Sequence, residues 1–171
     1  MSSARPLVHS AFPASPLPEM TLQQGELLDY TLDREISEEE WDAAHAAGQG
    51  VTWKEVTLET LLACPAALSH ISEAGFVYYV PAFICAALDH LARPVTSTDD
   101  LFGSTVFHLT HTETGYSLSR LKLFNAEQRV AVTAFLREAA DAGGFTGGEA
   151  QKGLQGYWLT PRASEPLVYV P

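Results

Sequence analysis

The chain has 171 residues, 46% of them apolar and 10% aromatic, enough to enclose a core, so one globular domain is expected and disorder of the whole chain is excluded. Twenty-one acidic residues against ten basic give a net charge of −11, which argues against a binder of nucleic acid or of anionic membranes and leaves a basic protein as the complementary partner. Two cysteines, Cys64 and Cys85, lack CxxC spacing, and their apolar helical surroundings point to free buried thiols in a reducing, cytoplasmic setting, with a disulfide between them left open.

Residues 1–20 contain Pro6, Pro13, Pro16 and Pro18. Each removes a backbone donor and fixes φ, so this stretch reads as an extended Pro-rich arm pinned by Leu7, Val8 and Phe12, followed by a single helix-rich domain over residues 21–171. The start has no basic segment leading into an apolar run, so no secretory signal is expected. An acidic block follows from Glu26 to Asp42, relieved only by Arg34. Within it Ser37 and Glu40 have capping-box spacing, which predicts a helix from Glu38 to about Ala46 with its carboxylates at the positive end of the dipole. Thr52 to Glu55 has the same spacing, but Thr57 is preferred as the cap of a helix carrying Leu58, Leu61 and Leu62, which Pro65 ends or kinks and Gly75 stops.

Gly75 to Leu91 is the most distinctive stretch. Alternation of Phe76 and Tyr78 with Val77 and Tyr79 predicts a buried strand, Pro81 suits the first turn of a helix, and Ile84, Ala87, Leu88 and Leu91 form that helix's stripe. The longest uncharged run, Ala74 to Leu88, is short for a membrane span and is broken by Pro81, so none is expected. Phe107 and Leu109, a turn at Glu113 to Gly115, then Tyr116 and Leu118 predict a small β-hairpin within residues 105–123. Asn125 with Gln128 caps the clearest helix, with Val132, Phe135, Leu136 and Ala139 inward and Gly143 and Gly144 at its end. A last helix spans Gly148 to Trp158, and Leu167 to Val170 reads as extended. The fold expected is therefore mainly α, with a small β-hairpin.

No pattern supplies catalytic, cofactor-binding or metal-ligating residues. His108, His111 and Glu113 could suit a metal, but residues three apart in a strand face opposite sides, so they read as surface or hairpin histidines. No GxSxG and no phosphate loop is present, and the glycines at 143, 144, 147 and 148 lack the Lys-Ser or Lys-Thr that would follow one. The function expected is a non-enzymatic, acidic protein-binding module that covers a basic partner, as a bacterial immunity or antitoxin-like protein would, through Glu35, Glu38, Glu39, Glu40 and Asp42. The alternative is a small enzyme or ligand-binding domain with a pocket near Tyr78 and Tyr79.

Trp53 before a leucine-bearing helix, Gly75-Phe76, Tyr78-Tyr79-Val80-Pro81-Ala82-Phe83, Asn125-Ala126-Glu127-Gln128 and Phe135-Leu136 form a layout that resembles an uncharacterised bacterial family of small proteins. The resemblance covers about residues 10–158 and implies a bacterial origin and a shared fold, with no catalytic residues to transfer.

Overall fold

The computed structural model describes residues 2–31 and 33–160, and every described regular element is helical. The expected tail strand at Leu167 to Val170 lies outside the described residues.

The first helix, α1 (Ala4–Ala11), corrects the extended-arm expectation. Pro6 falls in its first turn, where a missing N–H costs no intrahelical bond. The exposed donors of that turn are gathered by a carboxylate from far along the chain. Glu138 Oε1 accepts from Ser3 N at 2.7 Å, from Ala4 N at 2.9 Å and from the Ser2 and Ser3 hydroxyls. Arg5 adds a bond to the Cys85 carbonyl at 2.9 Å and a pair with Asp89. Val8 and Phe12 are buried, as the sequence suggested, while Leu7 keeps 37% of its surface exposed. The remaining prolines lie in the connection to α2 (Leu22–Tyr30), which the Trp53 indole and the Tyr78 hydroxyl hold through the Pro13 and Ala14 carbonyls.

Helix α3 (Glu38–Gly48) has the expected Ser37–Glu40 capping box, and Thr57 caps α4 (Leu58–Ala63) through Thr60 N. A four-residue helix, α5 (Ala67–His70), follows Pro65. It packs so closely on α2 that a Cβ at Gly25 would stand 3.0 Å from the Ala67 carbonyl oxygen and collide with Ile71 Cγ2. Glycine is needed there for approach rather than for its dihedral freedom.

The central stretch is the largest correction. Ser72, accepting from Gly75 N at 3.1 Å, starts one twenty-residue helix, α6 (Glu73–Ala92), that absorbs both the predicted stop at Gly75 and the predicted strand over residues 76–80. Phe76, Tyr79, Val80, Phe83, Ile84, Ala87 and Leu88 are all buried, a spacing of three and four that the interruption at Pro81 hides. Proline inside a helix costs roughly 3 kcal/mol. Each of Phe76, Val80, Phe83 and Ile84, fully buried, returns about 1.5–3 kcal/mol, so packing prevails over the broken hydrogen bond. By length and composition alone α6 could cross a membrane, yet 61% of its apolar window is buried inside the fold.

The expected β-hairpin is likewise absent from the described residues, and two helices stand in its place. These are α7 (Asp99–Thr110), entered through a 3-10 turn at Thr96–Thr98, and α8 (Gly115–Lys122), capped by Thr114. Leu101, Phe102, Thr105, Val106, His108 and Leu109 bury one face of α7, and Phe107, half of the supposed alternation, is 52% exposed. Helix α9 (Ala126–Ala142) has the predicted cap and buried face. Gly143, with φ of 74°, ends it, and α10 (Gly144–Gly153) continues into a wide π turn at Leu154–Trp158.

Helix α6 lies at the centre, touching α1, α5, α7, α8 and α9, while α9 carries α1 on one side and α10 on another. Helices α2 and α3 form an outlying pair joined to the rest chiefly through α5. Both thiols are free, Cys64 buried and Cys85 half-buried.

Removing the carboxylate that anchors α1 tests how far that helix belongs to the fold. Glu138→Ala is expected to lower unfolding free energy by about 1–2 kcal/mol, with Glu138→Gln losing less because it keeps one acceptor. Denaturant titration measures the loss, and hydrogen exchange should quicken first at the α1 amides.

Candidate functional site

The five acidic residues singled out by sequence lie on α3 and the turn before it, but they do not share one role. Glu40 closes the capping box on Ser37 and also receives the Arg34 guanidinium on both oxygens, at 2.6 and 2.9 Å. The Arg34 fork, followed by the Ser37 amide and hydroxyl, holds its carboxyl down at about 2. Glu40 therefore fixes the entry into α3. Glu35, Glu38, Glu39 and Asp42 are exposed and make no ion pair among the described residues. Glu38 and Asp42 sit four apart on the helix, with Glu39 beside them, so their carboxylates occupy one face.

One hollow lies between α2, the turn before α3 and α5, and another borders α3 itself. The first, of about 500 Å³, has Leu28 and Ile36 as apolar walls and Arg34, Glu35 and His70 as its polar rim, with Asp29 paired to His70 at 3.0 Å. The other, of about 450 Å³, is bordered by Glu19, Met20, Trp41, Asp42 and His45. Thr21 fixes its far side, its hydroxyl donating to the Ala44 carbonyl at 3.2 Å while its capping box holds Gln24. Sequence reasoning passed over Trp41, whose signal was a large aromatic inside an acidic helix start.

The region of the two tyrosines is built differently. Tyr79 is buried, and burial pushes its hydroxyl up to about 12. Tyr78 borders a hollow of about 260 Å³ with Phe12, Pro16, Leu17 and Val77. Its hydroxyl is spent on the Ala14 carbonyl at 2.8 Å, and Gln128 at the rim is spent on the cap of α9. Convergent polar groups of the kind that orient a substrate are not assembled on those walls.

His108 and His111 part company. His111 ends α7 stacked on Phe107, while His108, expected at the surface or in a hairpin, is 7% exposed and faces the core because residue 108 falls on the inner face of a helix. Among the described residues no three His, Cys, Asp or Glu side chains are grouped as metal ligands. His108 Nε2 lies 3.5 Å from Ser69 Oγ, next to Arg120, whose guanidinium is sandwiched between Phe76 and Tyr116 at 4.3 and 4.4 Å. Burial, then the Arg120 charge, lowers His108 to about 4, so it is neutral at pH 7. At that value it is a weak base, and among the described residues no carboxylate orients its ring. Arg120 Nη1 instead donates to the Leu68 carbonyl at 2.5 Å and the Tyr116 hydroxyl donates to the Ile71 carbonyl at 3.2 Å, satisfying the C-terminal carbonyls of α5. Glu26 does the reverse at the other end, accepting from Ala66 N at 2.9 Å. The cluster is a structural clamp. The thiols are no better placed for chemistry, since burial raises Cys64 to about 11 and also raises Cys85.

A family model described as a family of unknown function, DUF6714, matches residues 2–161. The chain belongs to that family. No curated protein and no solved structure matches it. The family match runs from the residues before α1 to just past the π turn, so the acidic face, Trp41 and the clamp around α5 all lie within it.

Buried neutral His108 predicts acid sensitivity of a definite sign. With a folded pKa of about 4 against 6.5 unfolded, its contribution is complete above pH 6.5 and drains away as pH falls toward 4. Glu26, raised by burial, acts in the opposite sense. Between pH 7 and 5 the native chain should therefore lose about 2 kcal/mol more unfolding free energy than His108→Gln, which keeps Glu26, as read by denaturant titration at each pH.

Proposed function

We propose that the chain is a non-enzymatic binding module whose α2–α3 surface receives a basic segment of another protein. The observation that carries this reading is that Glu35, Glu38, Glu39 and Asp42 stand exposed on one short segment, with no ion pair among the described residues. Glu38 and Glu39 favour the start of α3 through its dipole without being neutralised, whereas Glu40 is paired with Arg34. Left open, they set up a negative potential that speeds encounter with a basic surface. The finer form is a bacterial immunity or antitoxin-like protein that masks a basic toxin, and both the size and the charge of the chain suit it.

Affinity capture at low salt, comparing the native chain with Glu35→Lys/Glu38→Lys/Glu39→Lys, tests the reading. A basic protein should be retained by the native chain, released by raised salt, and bound at least roughly tenfold more weakly by the variant. Circular dichroism checks that the variant is folded. A partner indifferent to both salt and charge reversal, or no partner at all, overturns the proposal.

A further inference from the structure

The three tryptophans of the chain are not alike. Trp53 and Trp158 are 2% and 4% exposed, and each indole N–H donates to a backbone carbonyl, Pro13 at 3.1 Å and Leu109 at 2.6 Å. Trp41 is half-buried on α3, and among the described residues neither its N–H nor its rings meet a hydrogen-bonding, aromatic or cationic partner. An indole that takes no part in the fold's polar or aromatic contacts, yet faces a hollow of about 450 Å³, is a surface prepared for something else.

We infer that this hollow seats a cationic side chain, an arginine or lysine of a basic polypeptide, resting on the Trp41 ring with its charge toward Glu19 and Asp42. The inference deepens the binding-module reading and rests on it. Tryptophan offers the most negative aromatic face for a cation, and the interaction strengthens as water is excluded. Glu19 and Asp42 are exposed and unpaired among the described residues, so they hold charge in reserve at the rim. The remaining titratable group on the walls is His45, whose Nδ1 lies 3.3 Å from Gln24 Oε1. An anionic occupant would meet two carboxylates, and an uncharged apolar one would strip water from them without return. One wall residue, Gln24, is also held in place, as is the α2–α3 packing behind it. Gln24 is fixed by the Thr21 capping box, and Gly48 packs so tightly against Thr21 that a Cβ there would stand 2.7 Å from Thr21 Cβ. The hollow therefore exists before any ligand arrives, which limits the ordering cost of binding.

A capped hexa-arginine peptide titrated into the full-length chain, followed by the indole N–H resonances, provides the test. The Trp41 resonance should shift while those of Trp53 and Trp158 stay in place, the latter two also reporting an intact fold. Trp41→Leu should weaken binding at least roughly fivefold and Trp41→Phe less. Glu19→Gln and Asp42→Asn should each weaken it, and hexa-citrulline, equal in shape but neutral, should not bind. If the peptide binds with the Trp41 resonance unmoved, or if Trp41→Leu leaves affinity unchanged, the hollow is not the seat. Loss on reversing Glu35, Glu38 and Glu39 would then leave the acidic-face reading standing. If the peptide binds nowhere on the chain, both readings fall, and equal binding of hexa-citrulline removes the cationic occupant.

Discussion

Burial of α6 on nearly all sides is the constraint on which the rest of the molecule depends. A helix carrying Phe76, Val80, Phe83, Ile84 and Leu88 has no solvent-compatible face wide enough to leave open, so five other helices are recruited around it. That demand explains why Pro81 is tolerated, since the ring sits buried where neighbouring side chains already exclude water. It explains α1 too. A proline-bearing segment at the start of the chain becomes helical because Val8 and Phe12 have core positions waiting for them, and because Glu138 supplies the acceptor its first turn lacks.

Charge is used in two opposed ways. Inside, single ionisable groups act as end pieces for short helices. Glu26 and Arg120 bracket α5 with the signs its dipole favours, and the aromatic faces of Phe76 and Tyr116 lessen the cost of burying the guanidinium. Outside, Glu35, Glu38, Glu39 and Asp42 are paired with no described residue, whereas Glu40 and Asp29 are drawn into the chain's own architecture by Arg34 and His70. The contrast between inner charges spent on helix ends and an unpaired rim on α2 and α3 sets that end of the molecule apart. These two helices join the body mainly through α5, so a surface built there can vary without disturbing the core around α6.

Local side-chain chemistry was legible wherever it stands alone. The caps at Ser37, Thr57 and Asn125 and the stop at Gly143 were readable because each acts within four residues of itself. The Thr21 box, equally local, opens α2 and went unread because the acidic block beside it carried no apolar period. The acidic candidates were visible as a block, but the division between Glu40 and the other four needed the position of Arg34. Trp41 and the His108–Arg120 clamp were not legible, since their meaning rests on what lies opposite them in space.

The sequence by itself determined a helical, acidic chain, its main helix caps and the inward face of α9, because charge, capping and a regular period of 3.6 are properties of neighbours along the chain. Only the tertiary structure decided that residues 76–80 and 105–109 are helical rather than extended. Short aromatic and β-branched runs satisfy either period, and the choice falls to whichever packing buries them with every backbone donor and acceptor served. In this chain the partners that settle it, among them Phe124 against Phe76, lie tens of residues away.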